Sequence, residues 1–122
     1  FTALSLVCSN PIIYASNMVT DAEMAMLPEY CQARMGDNKS LYSLWQQRLG
    51  RSQFVHIHHY CFGLNYMNRA MIEIDSRKKK FTLQRAVANF DYVLARWPKS
   101  FSLTASAAMY RQQAEIMLEI TR

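Results

Sequence analysis

An all-α fold is what this sequence predicts, and three observations predict it. Only three Gly and three Pro occur in 122 residues, too few to turn a chain of short strands. Eight Met and seven Tyr accompany a hydrophobic share of 51%, ample for one core. Beyond residue 20 the apolar residues recur at intervals of three and four, the period of a helix face. Gly36, Gly50 and Gly63 stand far apart, so neither a dinucleotide fingerprint nor a phosphate loop can be built from them.

Taken in order, the first fifteen residues, FTALSLVCSNPIIYA, carry no charge, and none appears before Asp21. That run resembles the apolar core of a signal peptide, with Ala15 before Ser16 as a cleavage point. Residues 1–20 are therefore expected to be a leader and 21–122 a single helical domain. The alternative is a buried N-terminal helix, interrupted at Ser9, Asn10 and Pro11. The segment is too short to span a membrane, which takes roughly 20 apolar residues. Asp21 is placed to cap a helix running to Gln32 that Pro28 breaks or restarts. Gly36, Asp37 and Asn38 form a loop. Ser40 can cap the next helix, with Leu41, Leu44, Trp45 and Leu49 on its apolar side and Gly50 as its stop.

After Ser52 a longer segment sets Ile57, Tyr60, Leu64, Met67, Met71 and Ile74 on one face. Past the basic run, Leu83, Ala86, Val87, Phe90, Val93, Leu94 and Trp97 share another face, with Arg85, Asn89, Asp91 and Arg96 largely elsewhere. Trp97-Pro98 closes that helix. The last begins near Ser102. Leu103, Ala107, Tyr110, Ala114 and Met117 line one side, while Met109, Ile116 and Ile120 line a second. Either it is buried between neighbours or one flank receives a partner.

Charge and cysteine narrow the function classes. Net charge is +5, but only Arg77-Lys78-Lys79-Lys80 forms a run. Those cations could meet anionic lipid, a polyanionic polymer or nucleic acid. No aromatics interleave to stack on bases, so nucleic acid is not an expected partner. The simpler reading is a solvated loop at a helix C-terminus, whose dipole favours cations. Removing the leader takes Cys8 with it and leaves Cys31 and Cys61. Export to the periplasm or medium would make them a disulfide, whereas a cytoplasmic home would leave two buried thiols.

Ala86, Phe90 and Pro98 keep the spacing of the second helix of a tetratricopeptide repeat, with Val93 at a further small position. Cys61-Phe62-Gly63 followed by Tyr66 resembles the small and aromatic positions of the first helix. Gly63 and Ala86 would let two antiparallel helices cross closely while Phe90 fills the adjoining gap. These sites lie 23 apart instead of about 12, so the repeat is lengthened through the basic run. A following repeat could open at Phe101 with Ala108 at the small position, although Arg111 replaces the tyrosine. The segments LPEYC, HIHHYCFGL, NRA and NFDYVLARWP are similar to exported bacterial proteins known as tetratricopeptide-repeat-like. The resemblance implies antiparallel helix pairs in a right-handed array, and a binding scaffold for a peptide or protein.

Candidate chemistry is sparse. His56 and His59 share one helix face, and His58 and Cys61 another, so each pair could offer two metal ligands. A zinc site would need ligands from elsewhere, and no CxxC, HExxH or CxxCH is present. Hydrogen-bonded histidines between helices are the simpler outcome. No G-x-S-x-G elbow occurs, and Glu73 and Asp75 point apart on a helix, so no enzyme and no cofactor is expected. The leading expectation is a groove lined by His56, His59, Tyr60, Asn65, Arg69 and Tyr110 that takes a protein or peptide, on a chain not integral to a membrane and able to self-associate. The alternative is a metal-binding protein using His56, His58 and His59.

Overall fold

The computed structural model describes residues 16–121, and they are all-helical. Seven helices follow one another among them: α1 (Asp21–Ala25), α2 (Glu29–Met35), α3 (Lys39–Leu49), α4 (Arg51–Phe54), α5 (Ile57–Ile72), α6 (Ser76–Leu94) and α7 (Thr104–Thr121). The leader expected at the N-terminus falls largely outside the described residues. Ser16–Thr20 lie within them and run along the domain.

The first helix starts one residue earlier than Asp21 suggests. Thr20 is its cap: Thr20 Oγ1 accepts the Glu23 amide at 3.2 Å, and Glu23 Oε1 accepts the Thr20 amide at 3.1 Å. This reciprocal box satisfies two amides that would otherwise lack partners. Pro28 does restart the chain, standing immediately before α2. Asn38, not Ser40, caps α3 by accepting the Leu41 amide at 3.0 Å. Asx side chains fit that position as well as Ser does, and Asn38 comes first. Gly50 ends α3 at φ 88°, a conformation that L side chains resist, and begins α4 at the same residue.

α5, α6 and α7 form the body of the fold. The three-residue connection 73–75 turns α5 back along α6, and α7 packs on the other flank of α6. Ile57, Tyr66, Leu83, Phe90 and Val93 of these helices are fully buried. Burying each of the aliphatic members contributes about 1.5–3 kcal/mol. Gly63 lies at a close approach of α5 and α6: a Cβ there would come within 2.6 Å of Phe90 Cε1. Phe90 fills the space beside Gly63 as expected, and Ala86, the other small residue expected at the crossing, is completely buried one turn before it on α6. Helix pairing of this kind is compatible with a repeat-like array.

Cys31 and Cys61 are joined by a disulfide that fixes α2 to α5, with Cα atoms 5.8 Å apart. Both residues are fully buried. Covalent pairing fits an oxidising, extracellular compartment. No helix among the described residues is long and apolar enough to cross a membrane.

Four further expectations are corrected. The apolar ladder of α5 stops short of Met71 and Ile74, which are 68% and 98% exposed, because the helix ends at Ile72 and its last turn projects past the core. Arg77–Lys80 form no loop and sit at no helix C-terminus. They occupy the first turns of α6, behind an Asp75 cap that accepts the Lys78 amide at 2.9 Å. Asn89 is buried, not peripheral, since its amide bridges helices. Ala108 is exposed, and Ala107 and Ala114 are the small residues that α7 presses inward.

Candidate functional site

The expected groove residues all lie on α5 and α7 or just before α5, but α5 distributes them over different faces. His56 and His59 project toward α6. His56 Nδ1 pairs with the Tyr92 hydroxyl at 3.2 Å, and His59 Nδ1 lies 3.1 Å from Asn89 Oδ1. Asn89 uses its own amide to donate to the Arg85 carbonyl at 2.9 Å, so its oxygen faces His59 and His59 Nδ1 carries the proton. His59 stacks on the Tyr92 ring at 3.6 Å between centroids, and the Arg96 guanidinium lies over the same ring at 3.5 Å. Burial, reinforced by the Arg96 charge, holds the His56 pKa below the ordinary value.

Tyr60 belongs to the core. It is 2% exposed among Tyr30, Phe90, Trp97 and Tyr110, and burial raises its hydroxyl pKa. A residue so enclosed supports the α5–α7 contact from beneath and does not meet a ligand. The apolar face that holds Tyr60 beside Ile57 and Met67 was legible in the sequence, and its place among the groove residues is corrected.

Asn65 and Arg69 turn away from the histidines, toward the N-terminal segment. Arg69 Nε donates to Glu23 Oε2 at 2.5 Å and its Nη2 to Glu23 Oε1 at 2.9 Å, a bidentate pair. The same guanidinium donates to the carbonyls of Ser16 at 2.7 Å and Met18 at 2.6 Å. Asn65 Nδ2 adds a donor to Glu23 Oε2 at 3.2 Å. The hydrogen bonds from Arg69 are the main cause that brings the Glu23 pKa down to about 2, against opposition from burial. Glu23 was not singled out in the sequence, although Thr20 and Glu23 at i and i+3 spell the box that positions it.

His58 faces a separate hollow of about 400 Å³ that it lines with Asn17, Val19, Met24, Arg34, Met35 and Phe62. Burial first, and the Arg34 charge second, lower its pKa to about 4, so the ring is neutral at physiological pH. His58 and His59 lie close, with ring centroids 4.4 Å apart, but His58 opens into this hollow while His56 and His59 face Tyr92 and Asn89 on α6. Among the described residues no group of three His, Cys, Asp or Glu side chains is placed to hold a metal ion. Cys61, the fourth ligand considered, is committed to Cys31.

The arrangement that can receive a ligand lies on the opposite side of α5. A groove of about 330 Å³ runs between the α1–α2 junction, α5 and α7, with Met26, Leu64, Met67, Met71 and Tyr110 as apolar walls and Asn68 and Gln113 as amides. A second hollow of about 260 Å³ adjoins it through the shared Met26 and Asn68, and is closed by Glu23, Asn65, Arg69 and Ile72. Of the six residues expected to bind, Asn65, Arg69 and Tyr110 line this double groove. Met26, Leu64, Met71 and Gln113 were missed as site residues, because methionine at helical spacing reads as core filler from sequence. Compared with known proteins, the chain matches no family model, no curated protein and no solved structure.

Proposed function

We propose that this chain is an exported, non-enzymatic scaffold of the tetratricopeptide-repeat-like kind that binds a peptide segment of another protein in the groove between α5 and α7. The observation that carries the reading is the composition of that groove. Met26 and Met71 stand 75% and 68% exposed beside partly buried Leu64 and Tyr110. Methionines re-pack around varied apolar side chains, and two amides at the rim, Asn68 and Gln113, can pair with an exposed peptide backbone. A volume of this order suits a few side chains of a bound segment. Glu23 and Arg69 neutralise each other and order one wall, with no proton-transfer role required of them.

Selection of a displayed random peptide library against the disulfide-intact protein, followed by fluorescence anisotropy of the selected peptides, tests the proposal. Met71→Glu or Leu64→Asp should weaken binding at least tenfold, about 1.4 kcal/mol. Lys39→Glu, on exposed α3, should leave binding unchanged. Selected peptides that bind Met71→Glu and Leu64→Asp as well as the parent protein would overturn the groove assignment. Export is tested by counting thiols in denatured protein from the native host, with and without reductant. Cys31 and Cys61 should appear only after reduction.

A further inference from the structure

The connection between α5 and α6 is an apolar tip inside a basic collar, and we infer that it docks the protein onto an anionic lipid surface. Ile72 and Ile74 are 83% and 98% exposed, and Phe81, at the end of the basic run, is 43% exposed. Isolated apolar residues on a surface are ordinary, but Ile72 ends α5, Ile74 lies in the three-residue connection to α6, and Phe81 follows in the second turn of α6, so the three gather at one end of the α5–α6 pair. The two acidic groups of the tip are turned onto its own backbone. Glu73 Oε1 accepts the Asp75 amide at 3.0 Å, and Asp75 Oδ1 accepts the Lys78 amide. Arg77, Lys79 and Lys80 extend from the first turns of α6, an end of the helix where the dipole disfavours cations. Asp75 faces Arg77 and Lys78 but balances only part of a run of four cations.

An anionic bilayer supplies both complements at once: acyl chains for the isoleucines and phosphate headgroups for the cations. The predicted mode is shallow and reversible, since no described helix can span the hydrocarbon. The charges favour lipid over a folded protein partner, because exposed Arg77 and Lys80, one turn apart on α6, stand beside exposed isoleucines, and a bilayer offers a dense field of negative charge over an apolar phase.

Co-sedimentation of the full chain with phosphatidylcholine vesicles, with and without phosphatidylglycerol, provides the test. Partitioning should rise at least tenfold on the anionic vesicles and fall steeply with added salt. Lys79→Glu with Lys80→Glu should abolish the gain. Ile72→Ser with Ile74→Ser should weaken it severalfold while circular dichroism confirms that these surface variants keep their helices. Lys39→Glu with Arg51→Glu, cations on α3 and α4, should leave it intact. Equal partitioning on both vesicle types overturns the proposal, as does binding unaffected by either tip pair. A dimer seen by light scattering that the isoleucine variant dissolves, without vesicle binding, would assign the tip to a second copy of the chain and likewise overturn it.

Discussion

The segment before α5 and the α5–α7 body are both helical, but they are held by different forces. α1 and α3 bury no residue at all, and α4 buries only Phe54. Helices of four to eleven residues are marginal alone, so their order comes from ties to the rest of the molecule. Those ties are specific: the Cys31–Cys61 bond, the Glu23–Arg69 pair, Trp97 Nε1 donating to the Gln53 carbonyl at 3.1 Å, and the few side chains the segment buries, Leu27, Ala33 and Phe54. The body instead relies on continuous burial along α5, α6 and α7. One half can be released by cutting a bond, whereas the other must be repacked to fail.

Cutting the disulfide should have the largest effect. Cys31 and Cys61 are 30 residues apart, and losing a closure of that length costs about 3 to 4 kcal/mol in the chain-entropy model. Cys31→Ala with Cys61→Ala should lower the midpoint of urea unfolding accordingly. Amide exchange should accelerate in α2 and α3 before α6. Uniform acceleration across all helices would erase the distinction between the two regions.

Next in size is Gly63→Ala, which forces a Cβ against the Phe90 ring and should cost about 2 to 3 kcal/mol. Phe90→Leu in the same chain should recover part of that loss, because it makes room at the contact. A Gly63→Ala protein as stable as the parent would show that the α5–α6 pair slides freely.

Glu23→Gln leaves Arg69 facing a neutral amide and should cost about 2 kcal/mol, within the range for charge-assisted hydrogen bonds. The loss should concentrate in the N-terminal segment. The pH dependence carries the sign. Glu23 is depressed to about 2 in the fold, so its contribution is complete above the unfolded carboxyl pKa near 4.5 and disappears as pH falls toward 2. His58 acts one step higher on the scale. Its folded pKa is lowered to about 4, so the unfolded chain takes up the proton first and stability falls between pH 6.5 and 4. Acid titration followed by circular dichroism should thus show two limbs. His58→Gln should flatten the upper limb and Glu23→Gln the lower.

The smallest effect expected is at a cap. Asn38→Ala removes the side-chain acceptor for the Leu41 amide and should cost about 1 kcal/mol, felt mainly as fraying of α3.

The primary sequence by itself determined the helical class, the stops at Pro28 and Gly50, and a close helix crossing at Gly63 with Phe90 in the adjoining gap, while it left Cys31 and Cys61 open between a bond and two free thiols until the structure joined them. Each of these follows from local chemistry: a ring that cannot donate, a residue that tolerates positive φ, and a missing Cβ. Periodicity could not say which stripe of α5 meets which neighbour, because a helix with apolar or aromatic residues on several sides has several admissible orientations. Only the tertiary structure decided that His56 and His59 meet α6, that Tyr60 is core, and that Asn65 and Arg69 hold Glu23. It also decided that Met71 and Ile74 face outward, since exposure at a helix end depends on where the neighbouring helices stop.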